Sequence, residues 1–394
     1  MKKIGTDLLI TMANPPLKNG VVVLDDNGLV LDVYRVQDKR SEADIQWYPG
    51  VIVPGMINAH CHLELSHLKD KIESGTGLLH FIGQVVQMRH FEQEEIQAAI
   101  VHADKEMYDA GIVAVGDISN STDTLAMKEK SGMYYHTFVE MFDLLQDFMT
   151  DQSFEQYKAV WEAFHTAKNQ SKSASPHAGY SVSRALFQKI NSLNGDRQTT
   201  VTMHNQEMKE EDALFENKSG GLLEFYASLD LSLDHFKLTG KSALQSVLPA
   251  MDAHHRTVLV HNTYTTAEDV SFAEGWGEVY WASCPNANLY IENRLPDYNM
   301  LREQGATVCL GTDSLCSNWQ LSIVEEMKTL YKFNSYIPLM DILQWATING
   351  AKALGISDKY GTIEKGKSPG LVHLNMNWEH PKSLLDMQDY GRLD

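Results

Sequence analysis

The stretch 51-VIVPGMINAHCHLELS-66 sets the terms on which the rest of the chain is read. An apolar run breaks at Pro54 and Gly55, then resumes as a strand-like segment carrying His60 and His62. Residues i and i+2 of a strand point to the same side, so both imidazoles face one point and Cys61 faces away. Alone the pair is weak: with 16 His in 394 residues, chance supplies about 0.6 H-x-H pairs.

Before this stretch, "DLLITM" and "VVVLDDNGLVLDVYRV" read as strands, and "DDNG" as a hairpin turn. After it, eight short apolar runs alternate with helix-like segments. The runs are "GMINAHCHL", "GIVAVGDIS", "YYHTFVEMF", "SASPHAGYS", "TTVTMHNQE", "TVLVHNTY", "VYWASCPN" and "ATVCLGTDS". That rhythm predicts an α/β chain whose residues 54–359 form a (β/α)8 TIM-type barrel. Helices are expected at 92–110, 154–168, 183–193, 242–255, 266–274 and 339–355, the last ended by Gly355. The tail "YGTIEKGKSPGLVHLNM" returns to strand and turn character. Residues 1–53 and 360–394 are therefore expected to pair into one small β-sandwich domain.

Composition narrows the function. Hydrophobic residues make up 43% and charged residues 22%, as in soluble globular chains. A formal net charge of −19 argues against a nucleic-acid partner, because no basic surface offsets phosphate repulsion. A small-molecule substrate, neutral or cationic, fits better. Cys61, Cys284, Cys309 and Cys316 match no zinc-ribbon or C-x-x-C spacing, and a large core needs no disulfide framework. A cytoplasmic location is expected. The segment "MKKIGTDLLITMANPPLKNG" lacks the apolar core of a signal peptide. No apolar run approaches the roughly 20 residues that span a bilayer.

In a parallel barrel, chemistry sits where strands finish. The first run ends with His60 and His62, the fourth with His177, and the fifth with His204, followed by Glu207. The sixth ends with His261, the seventh with "SCPNAN", and the eighth with Asp313. A lone strand-end histidine is more often a hydrogen-bonded structural residue. Asp313 alone could cap a turn, and Glu207 alone could be a first-turn helix acid. The joint pattern reverses those readings. His60, His62, His204 and Asp313 suit one divalent cation, Zn²⁺ first, with Fe²⁺ and Mn²⁺ accepted by the same donors. Such a cation lowers the pKa of a bound water. Asp313 is then also an acceptor for that water's proton, Glu207 a proton carrier, and His261 the group that orients the water.

Taken in order, "PGMINAHCH", "VTMHNQE", "LVHNTY", "SCPNANL" and "LGTDS" resemble the amidohydrolase superfamily. The likeness is to its branch of aminohydrolases: deaminases of adenosine-type compounds such as S-adenosylhomocysteine and aminodeoxyfutalosine, guanine deaminase, and triazine chlorohydrolases. The resemblance spans nearly the whole chain, including the split β-domain. It implies His60, His62, His204 and Asp313 as metal ligands, Glu207 as proton shuttle, and His261 beside the water. Binuclear members place a bridging lysine on the fourth strand. Here "SPHAGYS" offers His177, which implies one metal and makes His177 a substrate contact. The tail reads "GKSPGLV" where relatives have a "GKDADLV"-like sequence, a departure outside the site. A homodimer is a family expectation.

The segment after the first run, "ELSHLKDKIESGTGLLHFIGQVVQMRH", is long, and in relatives it folds over the site. Glu64, His67, Phe81 and Arg89 are thus candidate substrate contacts. The plainer reading is a solvated loop, with Phe81 in packing. His136 and Glu140, on the third run, are expected to stand behind the site. Cys316 is expected to be a buried structural thiol. Together these features imply a metal-dependent hydrolytic deaminase of an aminopurine nucleoside-like molecule, releasing ammonia. The alternatives are a guanine or pterin deaminase, a triazine-type chlorohydrolase and, remotely, a non-catalytic scaffold.

Overall fold

A computed structural model describes residues 1–37 and 44–393. Residues 38–43 and 394, which the expected terminal domain includes, lie outside the described residues. The chain opens with β1 (Lys2–Leu9), β2 (Leu17–Leu24), β3 (Val30–Arg35) and β4 (Ile45–Pro54). Then follow β5 (Met56–Cys61), β6 (Ile112–Ser119), β7 (Tyr134–Met141) and β8 (Gln170–Pro176). The next four are β9 (Thr200–Asn205), β10 (Arg256–His261), β11 (Val279–Ser283) and β12 (Val308–Leu310), and the chain ends with β13 (Leu371–Leu374) and β14 (Tyr390–Leu393). Each of the eight apolar runs read from the sequence overlaps one of the strands β5–β12.

The two ends of the chain meet in one six-stranded sheet of order β14-β13-β4-β1-β2-β3. The "DDNG" turn forms as its residues dictate. Asp25 Oδ1 accepts from the amides of Asn27 and Leu29, both at 2.8 Å, and β2 pairs antiparallel with β3.

Strands β5 to β8 form one parallel four-stranded sheet and β9 to β12 another. Parallel bridges join Ala178 to His204 and Cys61 to Asp313, so the sheets touch at both edges. At one seam the His204 amide donates to the His177 carbonyl at 2.9 Å; at the other, the amides of Thr312 and Asp313 donate to His60 O at 3.0 and 3.1 Å. Gly311 permits the second approach, because a Cβ there would lie 2.8 Å from His60 O and 2.9 Å from His60 Cβ. All residues of β6 and β9 are buried, as strands covered on both faces should be.

The helices follow the expected segments, with instructive differences. Ser183 caps the helix Arg184–Asn194 by accepting from Leu186 N, so "SRALFQ" starts where its serine says it should. The stretch 242–255 yields only Ala243–Val247 and a 3-10 turn at Leu248–Ala250, since Pro249 cannot continue an α-helix. The helix expected over 339–355 is two, Leu339–Ala346 and Ile348–Ala353. Thr347 leaves helical geometry (φ −132°, ψ −93°), its hydroxyl donates to Leu343 O at 2.6 Å, and Gly350 packs directly on Ile57. The long segment after β5 is not a solvated loop. It holds a 3-10 turn, Leu63–Leu68, and α1 (Leu78–Met88), followed by α2 (Gln93–Asp109). Among the described residues no helix is long and apolar enough to cross a membrane.

Candidate active site

Strand ends bring the polar residues together. His60 and His62 leave β5, His204 leaves β9, His261 closes β10, and Asp313 follows β12. His60 Nε2 and His62 Nε2 each stand 3.5 Å from Asp313 Oδ1, and His62 Nε2 lies 3.2 Å from His204 Nε2. His60, His62 and Asp313 form one group with ligand atoms within 4.8 Å of one another; His60, His204 and His261 form another. Spacings near 3.3 Å are the edges of a coordination shell whose bonds are about 2.1 Å long.

The donor chemistry fits a cation. His60 is fully buried, yet neither of its ring nitrogens has a hydrogen-bond partner. An orphaned buried imidazole is costly unless something fills the gap. Burial holds His62 down at about 3 and His204 well below the usual imidazole range, so both stay neutral. Burial alone would raise Asp313, but the imidazoles of His60, His62 and His261 outweigh it and keep the carboxyl well below the usual range. Neutral histidines beside an ionised carboxylate are the protonation states that metal binding requires.

Neighbouring groups fix the tautomers. His204 Nδ1 donates to the His177 carbonyl at 3.0 Å, which turns the Nε2 lone pair to the site. His261 Nδ1 donates to Asn288 Oδ1 at 2.9 Å, and His261 Nε2 lies 3.5 Å from Glu207 Oε2. The Ser317 hydroxyl donates to Asp313 Oδ2 at 2.5 Å. Ser181 spends its proton on Ala178 O at 3.1 Å, so it accepts from His177 Nδ1 at 2.7 Å and leaves His177 Nε2 as an acceptor. Burial pushes Glu207 well above the usual carboxyl range, and its Oε1 has no partner. Gln206, His261, Asn262 and Asp313 all adopt positive φ (43°, 72°, 57° and 57°), so backbone strain is concentrated where these side chains are presented.

The site opens into a cavity of about 150 Å³. His177, Phe81 and Arg89 line it with the polar cluster, and Leu78, Ile82, Val85 and Phe142 give it apolar walls. Glu64 and His67 do not face this cavity; they line a neighbouring chamber. Cys316 is buried in an apolar cluster. Lys172 does lie on β8, but it turns outward and donates to Trp161 O at 2.5 Å.

Sequence reading placed Glu140 behind the site, but it lines the cavity, and Glu140 Oε1 is 3.4 Å from His204 Nδ1. Its position near the end of β7 was the available signal. It missed Asn288, Ser317 and Tyr180, and it missed Glu211, whose carboxylate accepts from the amides of Gln206, Glu207 and Met208 at 3.1, 2.7 and 3.3 Å. His136 is a satisfied core residue, bonded to Ser171 and Ser173.

Residues 51–389 match the Amidohydrolase family. The chain is 28% identical to an adenosine deaminase of Helicobacter pylori over 385 residues, covering 93% of this chain and 91% of that one. Its fold is similar to the crystal structure of Helicobacter pylori aminofutalosine deaminase in complex with methylthio-coformycin (TM-score 0.83, 22% identity, all of both chains). It is also similar in fold to zinc-complexed atrazine chlorohydrolase from Arthrobacter aurescens (TM-score 0.75, 16% identity, 98% of this chain and 91% of that one).

Proposed function

The chain belongs to the amidohydrolase family, and on that premise we propose that it is a metal-dependent hydrolytic deaminase of an aminopurine nucleoside-like molecule. The observation that carries this reading is the meeting of a His/Asp cluster with a separate, buried Glu207 and His261 in one cavity. The adenosine deaminase relative supports the substrate class. We read β5–β12, bridged at both seams, as one closed (β/α)8 barrel over 54–359. Residues 1–53 and 360–394 then make the small β-domain.

His60, His62, His204 and Asp313 would hold one divalent cation, and Zn²⁺ suits these donors best. When bound, that cation supplies a Lewis acid that brings the pKa of a water towards 7. The remaining work falls to the chain. Asp313, ionised and held by Ser317, accepts a proton from the attacking water. Burial raises Glu207 well above the usual carboxyl range and so favours its protonated form, which can donate to the ring nitrogen beside the amino-bearing carbon. That carbon becomes electrophilic without charge accumulating on the ring. Glu207, left ionised, takes the remaining proton of the added hydroxyl and passes it to the amine as the C–N bond breaks, so ammonia leaves, and the proton held by Asp313 returns through solvent to Glu207 for the next turnover. His261, with Nδ1 tied to Asn288, keeps its Nε2 lone pair towards the site and orients the water. His177 Nε2, an acceptor, faces the ring.

The test is ammonia release on a panel of aminopurine nucleosides, aminopterins and chlorotriazines, with chloride followed in parallel. A nucleoside should be the best substrate. Glu207→Gln should lower kcat on it by about 10²–10⁴-fold, the range of a lost general acid. Near wild-type turnover in that variant would refute the shuttle role, and chloride release without ammonia would replace the deaminase reading.

A further inference from the structure

Glu207 and His261 are presented by two left-handed turns. Glu207 follows Gln206, which has φ 43°, while His261 itself has φ 72° and Asn262 has φ 57°. The two side chains meet with His261 Nε2 3.5 Å from Glu207 Oε2. Backbone of this kind persists only where its surroundings over-determine it. Glu211 grips the first turn through the amides of Gln206, Glu207 and Met208. Those bonds are local and fix no distance to the second turn.

Gln206 supplies that distance. It is fully buried and does not line the catalytic cavity. Its carbonyl accepts from Tyr264 N at 2.9 Å. Its side-chain Oε1 accepts from Thr265 Oγ1 at 2.8 Å and from Asn205 Nδ2 at 3.3 Å. Its Nε2 donates to Asp269 Oδ2 at 2.9 Å and to Asp212 Oδ1 at 3.1 Å. Turning the amide over would set its oxygen against both carboxylates, so it has one orientation. Asp212 stands in the first turn of the helix that follows Glu207, and Asp269 in the first turn of the helix that follows His261. Asp269 is itself held, since its Oδ2 accepts from Thr266 N at 3.2 Å and its Oδ1 from Gln245 Nε2 at 3.1 Å. Nearer the strands, Asn205 Nδ2 donates to Asn262 Oδ1 at 3.0 Å. Gln206 is the last tie before Glu207. A methionine would fill the same volume without needing a partner; what the amide adds is direction.

We propose that Gln206 is a positioning residue for the reaction: by joining the turn that carries Glu207 to the loop that follows His261, it sets the separation of the proton carrier from the imidazole that orients the water. The inference rests on the deaminase reading, which gives Glu207 and His261 those roles. It assigns Gln206 no contact with substrate or cation. Its loss therefore acts on the chemical step and leaves binding in place.

The test uses zinc-loaded Gln206→Met, Thr265→Val, Thr265→Ser and the double variant Gln206→Met/Thr265→Val, with the best nucleoside of the panel. Turnover is followed by ammonia release, and affinity for the oxo product by calorimetry. Gln206→Met should lower kcat by about 10–100-fold, with KM and product affinity within about twofold of wild type. Thr265→Val, which removes only the hydroxyl that donates to Gln206, should lower kcat about fivefold. Thr265→Ser, which keeps the hydroxyl, should restore it. The double variant should fall no further than Gln206→Met, within about twofold. In a crystal structure of Gln206→Met the contact between His261 Nε2 and Glu207 Oε2 should be lengthened or lost. The role is overturned if kcat holds in folded Gln206→Met, if product affinity falls as far as kcat, or if the two losses multiply in the double variant. Should Gln206→Met not fold, equal kcat in Thr265→Val and Thr265→Ser overturns it. If the wild type releases no ammonia from any compound, the deaminase reading fails; an unchanged separation in the Gln206→Met structure would separately sink the brace.

Discussion

Asn288 decides which nitrogen of His261 faces the cavity. Its Oδ1 accepts from His261 Nδ1 at 2.9 Å, and its Nδ2 donates to His261 O at 3.3 Å and Thr263 Oγ1 at 3.2 Å. The side chain therefore grips both the ring and the backbone of a residue at φ 72°. Groups that orient an active imidazole are typically worth about 10–100-fold. Asn288→Ala should lower kcat by that factor while KM changes little, because the ring is freed without any substrate contact being removed. Asn288→Asp should keep the orientation but add a negative charge beside Nδ1, which favours the imidazolium. The acid limb of the kcat–pH profile should then move to higher pH. A parallel rise in KM for Asn288→Ala, or an unmoved acid limb in Asn288→Asp, would show that Asn288 only packs. The motif "SCPNANL" contains Asn288 but assigns it no role, because the residue lies in the helix after β11 and not at a strand end. His60, His62, His204 and Asp313 were visible because a strand end is a place that an apolar run announces.

At the scale of elements, β6 and the short helix Leu125–Lys128 hold the exit of β5 through a buried ion pair. Asp117 Oδ1 accepts from Leu63 N at 2.9 Å, one residue after His62, and Asp117 Oδ2 lies 2.6 Å from Lys128 Nζ. Lys128 also donates to Ser119 Oγ at 3.1 Å and Thr137 Oγ1 at 3.0 Å, and both members of the pair are at most 2% exposed. Burying two charges costs several kcal/mol, which their attraction roughly repays. Removing one partner leaves the other charge stranded, at about 3–5 kcal/mol. Asp117→Asn and Lys128→Met should each lower the melting temperature sharply, and the double variant should recover most of the loss. Additive losses in the double variant would show that the pair is not coupled. Neither residue is singled out by the sequence, since Asp117 sits inside the apolar run "GIVAVGDIS" and no motif marks Lys128. Strand existence was legible because continuous apolar runs of this length, spaced by helical segments, have few other uses. Helix continuity was not, because Thr347 breaks its helix through a hydroxyl bond to Leu343 O and the contact of Gly350 with Ile57, and local pattern encodes neither.

Across the whole molecule, buried titratable groups set opposing pH dependences. Burial lowers His62 and His136 to about 3 and His177 to about 4. A histidine depressed in this way gives stability that is present above its unfolded pKa of about 6.5 and is lost as pH falls. Burial raises Glu64 and Glu140 to about 7, and Glu211 and Glu326 to about 8. A carboxyl raised in this way gives stability that is present below its unfolded pKa of about 4.3 and is lost as pH climbs through the folded value. Below pH 6.5 the two sets work against each other. Between pH 6.5 and about 8.5 the histidines are neutral in both states, so only the carboxyl loss remains. The metal-stripped protein should therefore lose a few kcal/mol over that window, seen as a fall in melting temperature of the order of 5 °C. A bound cation alters the balance, since its charge favours the ionised forms of the carboxyls beside it, and binding to the folded state alone raises stability by mass action. Glu140, 3.4 Å from His204, is so placed, whereas Glu326 is held by Asn286 and Asn318. Zn²⁺-loaded protein should thus melt higher throughout and show a shallower fall from pH 6.5 to 8.5. Melting curves of both forms at pH 6.5, 7.5 and 8.5 give the answer. A stripped protein that gains stability over this range would mean that these carboxyls are ionised in the fold at neutral pH.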